Sequence, residues 1–473
     1  MTGQLNRRSV LRGAVVLGGT LAAGPLLWRQ PGHASVTPSG IHLTYGADPG
    51  REMVVSWSTP ASVSNPRLLL GDHSGQLTEV VAVESKASPG LPTVQHHARV
   101  SDLDAGNSYF YRALHDGGSS GEFSFSTAAP GAGRPVRFTA FGDQGTADAK
   151  LAPALSAIAA FDPDLHLHVG DLSYASSTGG LRALEAVQFR YLPGEWEAWL
   201  AGIEPVAARI PWMPVLGNHE MEPTGSELGY ESYFARFTPP ANGAAGLPGA
   251  TWSVTVGNVG FVALDGNDAS AEIPRNRDYL GGAQEVWLEA TLADLRARAD
   301  VDWIVVGIHH CLYCSSVRHG SDAGVRERWG PLFDRYAVDL VINGHNHLYE
   351  RTHPIRAGKV TAQAPRGATV DPQRDGTTYL VSGLAEEDES IPDRSTSPVS
   401  GVTYYTGTDF GARVPEATPW SAVVDELSPV VICAEATPPD RTGVTTLRLR
   451  SVDAATSGVV DEVTLIRRQG VQP

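Results

Sequence analysis

Apolar positions along the chain follow two different patterns. Between about 38 and 128 they come in short runs, at 53–57, 67–70, 96–100, 109–112 and 122–125, rich in β-formers and separated by Pro, Gly, Asp and Asn. This spacing predicts a small all-β sandwich of fibronectin type III kind. The paired His96-His97 reads as strand surface, and Ala128-Ala129-Pro130-Gly131-Ala132-Gly133 as a linker. From about 135 strand-like and helical runs alternate. Strands are predicted at 138–141, 165–169, 213–216, 303–308 and 338–342. Helices are predicted at 149–160, 195–209 and 283–298, the last with Leu288, Leu292 and Leu295 on one face. Residues 251–256 and 259–264 flank Gly257-Asn258 as a hairpin, and 377–381, 445–449 and 459–466 read as closing strands. The alternation predicts an α/β domain over 135–468 with some antiparallel pairing. The acidic, Ser/Pro-rich stretch 385–400 reads as an exposed loop, with metal binding as the alternative. No internal repeat is present.

Composition narrows the class. A length of 473 residues suggests two or three domains, and 42% hydrophobic residues supply real cores and exclude a disordered chain. A net charge of −16 argues against nucleic-acid binding, which needs a basic face. Gly 51 and Pro 33 fit a turn-rich, β-rich fold, and three cysteines are too few for a disulfide scaffold.

The first 34 residues read as an export signal. Asn6-Arg7-Arg8-Ser9-Val10-Leu11-Arg12 carries a twin arginine, and residues 14–27 are uncharged and mostly apolar. That run is shorter than the roughly 20 residues of a membrane-spanning helix. Gly32-His33-Ala34 offers an imperfect cleavage point. The expectation is a protein secreted by the twin-arginine machinery, with no stable membrane anchor. A cytosolic protein with a chance basic start is the alternative.

The chemistry sits where predicted strands end. Gly142-Asp143-Gln144-Gly145, Gly170-Asp171-Leu172-Ser173-Tyr174, Gly217-Asn218-His219-Glu220, Val306-Gly307-Ile308-His309 and Gly344-His345-Asn346-His347 each follow an apolar run. The carboxyl ends of strands form the rim where open α/β sheets bind ligands. Each motif alone is an ordinary turn or surface dipeptide; five in strand-end positions are not. Asp, Asn, Tyr and His without thiolate suit iron, manganese or zinc. Seven candidate ligands exceed the needs of one ion and match two ions sharing a carboxylate.

The five motifs in this order resemble the purple acid phosphatases of the calcineurin-like metallophosphoesterases, in the long form with an N-terminal fibronectin-like module. Residues 303–313 and Gly344-His345-Asn346-His347-Leu348-Tyr349-Glu350-Arg351 agree as well. The resemblance implies a two-sheet β sandwich flanked by helices, preceded by a small all-β domain at 38–128. It implies a binuclear centre of Fe(III) plus a divalent ion (Fe, Zn or Mn). Asp143, Tyr174 and His347 would hold the ferric ion, Asn218, His309 and His345 the divalent ion, and Asp171 would bridge. His219 would contact phosphate and protonate the leaving oxygen, and His319 would face the substrate. Two cations roughly 3.5–4 Å apart clamp the attacking and leaving oxygens of an in-line displacement, and Fe(III) acidifies water so that hydroxide attacks even at low pH. The implied activity is a secreted acid phosphatase acting on small phosphate monoesters. A phosphodiesterase or phospholipase D-like enzyme is the alternative within the enzymes, and a surface binding module the one outside them. Such modules usually lose ligands, and none of the seven is missing.

Other candidates take plainer readings. His310 alternates away from His309 and reads as packing or support; His166 and His168 read as structural. Cys311 stands where the family usually has proline, and Cys311 with Cys314 reads either as a small disulfide or as two free thiols. Ser382-Gly383-Leu384-Ala385-Glu386 departs from the family's glycine-rich turn, which affects the rim rather than the ligand set.

Overall fold

In a computed structural model of the chain, residues 36–468 are described, apart from 132, 146–149, 178, 180–189, 273–276, 385–401 and 407–412. The export-signal reading and the 385–400 stretch therefore lie outside the described residues. Nine strands between Ser39 and Ser126 form two antiparallel sheets. One orders Ser39–Tyr45, Met53–Thr59, Val94–Val100 and Val83–Ala87; the other is built on Arg67–Gly71 and Ser108–His115. Ile41, Leu43, Val55, Trp57, Leu68, Leu70, Tyr111 and Phe125 meet between them.

Two seven-stranded sheets follow. The first orders Trp212–Pro214, Leu165–His168, Val136–Phe141, Val430–Ala436, Val444–Asp453, Val459–Arg468 and Thr369–Val370. The second orders Trp252–Val256, Val259–Leu264, Trp303–Ile308, Leu340–Asn343, Thr378–Ser382, Tyr349–Thr352 and Ser421–Asp425. The run 377–381, expected among the closing strands, thus belongs to the second sheet, parallel to Leu340–Asn343.

The inner faces meet through Phe138, Ala140, Leu167 and Val215 on one side and Phe261, Val305, Ile342 and Leu380 on the other. Phe138 and Phe261 cross edge to face at 5.1 Å. Outside, helices Leu151–Phe161 and Gly194–Ala207 cover Phe141, Trp212 and Val431. Helices Ala283–Ala297 and Ala323–Arg335 cover Val262, Leu264, Ile304 and Val306. Burial on both faces explains the unbroken apolar run of Trp303–Ile308, since such a strand has no solvent face to carry polar residues.

From Val36 onward the chain is one compact unit. Tyr111 donates its hydroxyl to the Ala208 carbonyl at 2.7 Å, and His42 bonds the Arg236 carbonyl at 2.9 Å. His96 and His97, expected on a strand surface, are buried. His97 bridges Ser56 Oγ (2.8 Å) and the Ala235 carbonyl (2.9 Å), and His96 sits between Thr59 and Ser85. The helix ending at Arg236 covers the face that carries His97, while His96 points to the opposite face, 5.5 Å from the Trp57 ring. Among the described residues no helix is long and apolar enough to cross a membrane.

Candidate metal centre

Parallel pairing puts all five motifs on one rim. Val136–Phe141, Leu165–His168 and Trp212–Pro214 run parallel, as do Trp303–Ile308 and Leu340–Asn343. Their carboxyl ends deliver Asp143, Asp171, Asn218, His309 and His345. The turns are sharp enough to push non-glycine residues into the left-handed region: Asp143 (φ 57°), Asp171 (φ 52°), Tyr174 (φ 52°) and His345 (φ 70°). Strain of this kind costs about 1–3 kcal/mol per residue and clusters at functional sites. Glycine is required where the turns touch. A Cβ on Gly217 would lie 2.2 Å from Asp171 Oδ1, and one on Gly344 would lie 2.4 Å from Asp143 Oδ2.

The side chains form two adjoining groups. Tyr174 Oη lies 3.2 Å from Asp143 Oδ1 and 3.0 Å from His347 Nε2, and His347 Nε2 lies 3.5 Å from Asp143 Oδ1. In the second group His309 Nε2 lies 2.9 Å from Asn218 Oδ1 and 3.2 Å from Asp171 Oδ2. Donor atoms of Asp171, His309 and His345 all fall within 4.8 Å of one another. The Val169 carbonyl accepts from His309 Nδ1 at 2.8 Å, which fixes the tautomer and turns Nε2 inward. The His345 backbone N–H donates to Asp143 Oδ2 at 2.8 Å and ties the groups together.

Electrostatics fit a cation site. Burial disfavours charge on His309, but Asp171 and Asp143 outweigh it and raise the ring to about 10. Burial would lift both aspartates, yet His309 holds Asp143 and Asp171 below the usual carboxylate range, with help from His347 and His219 respectively. Burial and the two aspartate charges keep the Tyr174 phenol protonated, an order that a cation against its oxygen would reverse. Two carboxylates, a phenol, an amide oxygen and three imidazoles, with no thiolate, are donors for hard and borderline ions.

The His219 ring lies 4.4 Å from that of Tyr174, tilted by 50°. Its Nδ1 faces the Ser176 carbonyl at 2.6 Å, and its Nε2 points inward, 3.8 Å from Asp171 Oδ2. His319 lies beside His345, with ring centroids 4.1 Å apart. His310 is fully buried 4.7 Å from the His345 ring. His166 and His168 pack against Phe141 and Trp212 in the layer under the helices. Cys311 and Cys314 are free, buried thiols; Cys311 Sγ donates to the Gly344 carbonyl at 3.1 Å. The Gly383 backbone nears Asp143, where an added Cβ would lie 2.9 Å from Oδ2.

Two carboxylates at the site escaped sequence reasoning. Glu220, last residue of the Gly217-Asn218-His219-Glu220 motif, accepts backbone N–H bonds from Asp171 (2.9 Å), Leu172 (2.8 Å) and Gly217 (2.7 Å). Burial and the neighbouring Asp171 charge push its carboxyl up to about 8, against the pull of the N–H donors of Leu172 and Gly217. Its place in the motif was the available signal. Glu272 touches both His319 and His345 and stands in no motif.

Comparison with known proteins agrees with this geometry. Residues 136–349 match the calcineurin-like phosphoesterase family, and residues 38–127 match the purple acid phosphatase N-terminal domain. An uncharacterized protein of Mycobacterium tuberculosis is 33% identical over 94% of this chain and 90% of its own length. Purple acid phosphatase 22 of Arabidopsis thaliana is 32% identical over 58% of this chain and 57% of that protein. Acid phosphatase type 7 of Mus musculus is 28% identical over 79% of this chain and 85% of that protein. The structure of a purple acid phosphatase from yellow lupin (Lupinus luteus) seeds superposes with a TM-score of 0.68 at 22% identity, covering 92% of this chain and 75% of that one, a likeness of fold. The chain belongs to the purple acid phosphatase family of calcineurin-like phosphoesterases, and so to the phosphoric ester hydrolases.

Proposed function

We propose that the protein is an acid phosphatase that hydrolyses small phosphate monoesters at a binuclear metal centre. The observation that carries this reading is the convergence of seven donor residues from five strand ends. Asp143, Tyr174 and His347 would hold the ferric ion, Asn218, His309 and His345 the divalent ion, and Asp171 both. When bound, the pair supplies Lewis-acid neutralisation of phosphate charge and makes water acidic enough to attack. The chain's own residues do the rest. Val169 and Asp143 fix His309 and His345 before substrate arrives, which avoids reorganisation during reaction. His219 keeps Nδ1 on the Ser176 carbonyl, so its transferable proton sits at Nε2, on the side facing the donors. His319 takes the substrate side of His345. The twin-arginine leader supports an enzyme working outside the cytoplasm, reached by twin-arginine export.

The test is metal analysis of the pure protein together with paired assays on p-nitrophenyl phosphate and bis-p-nitrophenyl phosphate. Two ions per chain, one of them iron, and faster acid hydrolysis of the monoester are expected. A protein free of metal, or one that prefers the diester, would overturn the proposal.

A further inference from the structure

Glu272 lies in the loop that follows the Val259–Leu264 strand, well away in sequence from every motif of the site. Its two carboxylate oxygens serve two different histidines. Oε1 lies 2.8 Å from His319 Nδ1, and Oε2 lies 2.5 Å from His345 Nε2. One residue thus joins a ring on the substrate side to a ring proposed to hold the divalent ion.

The loop that carries Glu272 is itself pinned. Asp322 accepts from Ser270 Oγ (2.7 Å), Ala271 N (2.9 Å) and Glu272 N (3.2 Å). The Asp322 backbone N–H then donates to the Cys311 carbonyl at 2.8 Å, on the segment that leaves His309. At Gly324 the helix start leaves no room for a Cβ, which would lie 1.9 Å from the Ala269 carbonyl. The backbone that carries the Glu272 side chain is therefore fixed through Asp322 and against the start of the Ala323–Arg335 helix, and the two histidines hold the carboxylate itself.

The geometry points to Glu272 as a positioning residue. It orients His345 as a metal ligand and holds His319 against it, so that ion binding and substrate contact depend on one carboxylate. This inference rests on the reading of the site as a metal centre. A carboxylate on the outer nitrogen of a ligating imidazole fixes the ring's orientation and tautomer and raises its basicity. With Nε2 committed to Glu272, His345 presents Nδ1 to the ion. Glu272→Gln keeps the shape but offers one acceptor oxygen in place of two, so one ring faces an N–H₂ group. Glu272→Asp keeps the charge and loses the reach.

The experiment titrates metal-depleted protein with Mn²⁺ against a chromophoric chelator, for wild type, Glu272→Gln, Glu272→Asp and His319→Ala. Folding is checked by circular dichroism, and kcat and KM on p-nitrophenyl phosphate are measured alongside. Removing such an outer partner typically costs about 10- to 100-fold in metal affinity. That loss is expected for both Glu272 variants, with a raised KM. His319→Ala should raise KM while binding Mn²⁺ as the wild type does. If Glu272→Gln binds Mn²⁺ within twofold of wild type, the inference fails and the metal-centre reading stands. Full affinity in Glu272→Asp would show that charge alone acts, and would also overturn it. If the wild type itself takes up no ion, the metal-centre reading fails and the inference with it.

Discussion

Replacing Glu220 tests whether one buried carboxylate clamps two loops of the site. Glu220 is 1% exposed and takes three backbone N–H donors, from Asp171, Leu172 and Gly217, at 2.7–2.9 Å. Glu220→Gln preserves shape. Its oxygen can take over Oε2, which serves Asp171 and Gly217, and its amide then faces the Leu172 N–H. One hydrogen bond is lost, and the Leu172 N–H and the new amide N–H₂ face each other unpaired, a cost of about 1–3 kcal/mol for each group. Glu220→Ala leaves three such donors, so about 3 kcal/mol is the low end, against a whole-protein stability of about 5–15 kcal/mol. The loops meet where a Gly217 Cβ would strike Asp171, so they should part in the Ala variant and metal retention should fall with stability. Guanidinium unfolding followed by tryptophan fluorescence, with metal analysis of the same samples, reads both effects. An Ala variant with wild-type midpoint and metal content would refute the clamp.

Three further outcomes follow from the same geometry. His219→Ala should keep its metals and lose about 10²- to 10⁴-fold in turnover on alkyl phosphates, with a smaller loss on p-nitrophenyl phosphate, whose leaving group needs no proton; an equal loss on both would remove the acid role. Tyr174→Phe should abolish the visible charge-transfer band of the oxidised, iron-loaded protein while its circular dichroism stays unchanged, and a retained band would mean that the Tyr174 oxygen is not on iron. Burial outweighs the Ala235 carbonyl and lowers His97 to about 3, so the unfolded chain takes up a proton near 6.5 that the folded chain refuses. Stability is then full above 6.5 and declines by about 1.4 kcal/mol per pH unit toward 3 through this group. In denaturation at pH 7 and pH 4.5, the gap between wild type and His97→Gln should narrow on the acid side, and a pH-independent gap would sink the argument.

The proposed donors were legible because their motifs each close an apolar run, four of them at a glycine-bearing turn and His309 directly after strand Trp303–Ile308, a local pattern that survives folding unchanged. Strand Trp303–Ile308 was found to the residue for the same reason. What stayed hidden depends on distant chain. Glu272 finds its partners 47 and 73 residues away. Helix Ala323–Arg335 buries Val325, Trp329, Leu332 and Phe333 on one face, but Gly330 and Pro331 blur the period. Strand Val430–Ala436 looks like any short apolar run until its partners are known. His96 and His97 looked exposed because nothing in their own strand announces the helix over His97 or the Trp57 ring beside His96 on the opposite face.

The order of the strands also sets a timetable. Val136–Phe141, which presents Asp143, has Leu165–His168 on one side and Val430–Ala436 on the other, with Phe138 opposite Ala434. Gly142, next to Asp143, is held by the Ser382 carbonyl and by the Leu384 N–H. A ribosome that has just added His347 has made all seven proposed donors, yet the second wall of the Asp143 turn does not exist. Pairings this remote in sequence form slowly, because the intervening loop must close first. A nascent chain cut short before residue 430 would therefore carry every proposed donor without the strand that flanks Val136–Phe141, so the wall behind Asp143 can close only after almost the whole polypeptide has been made.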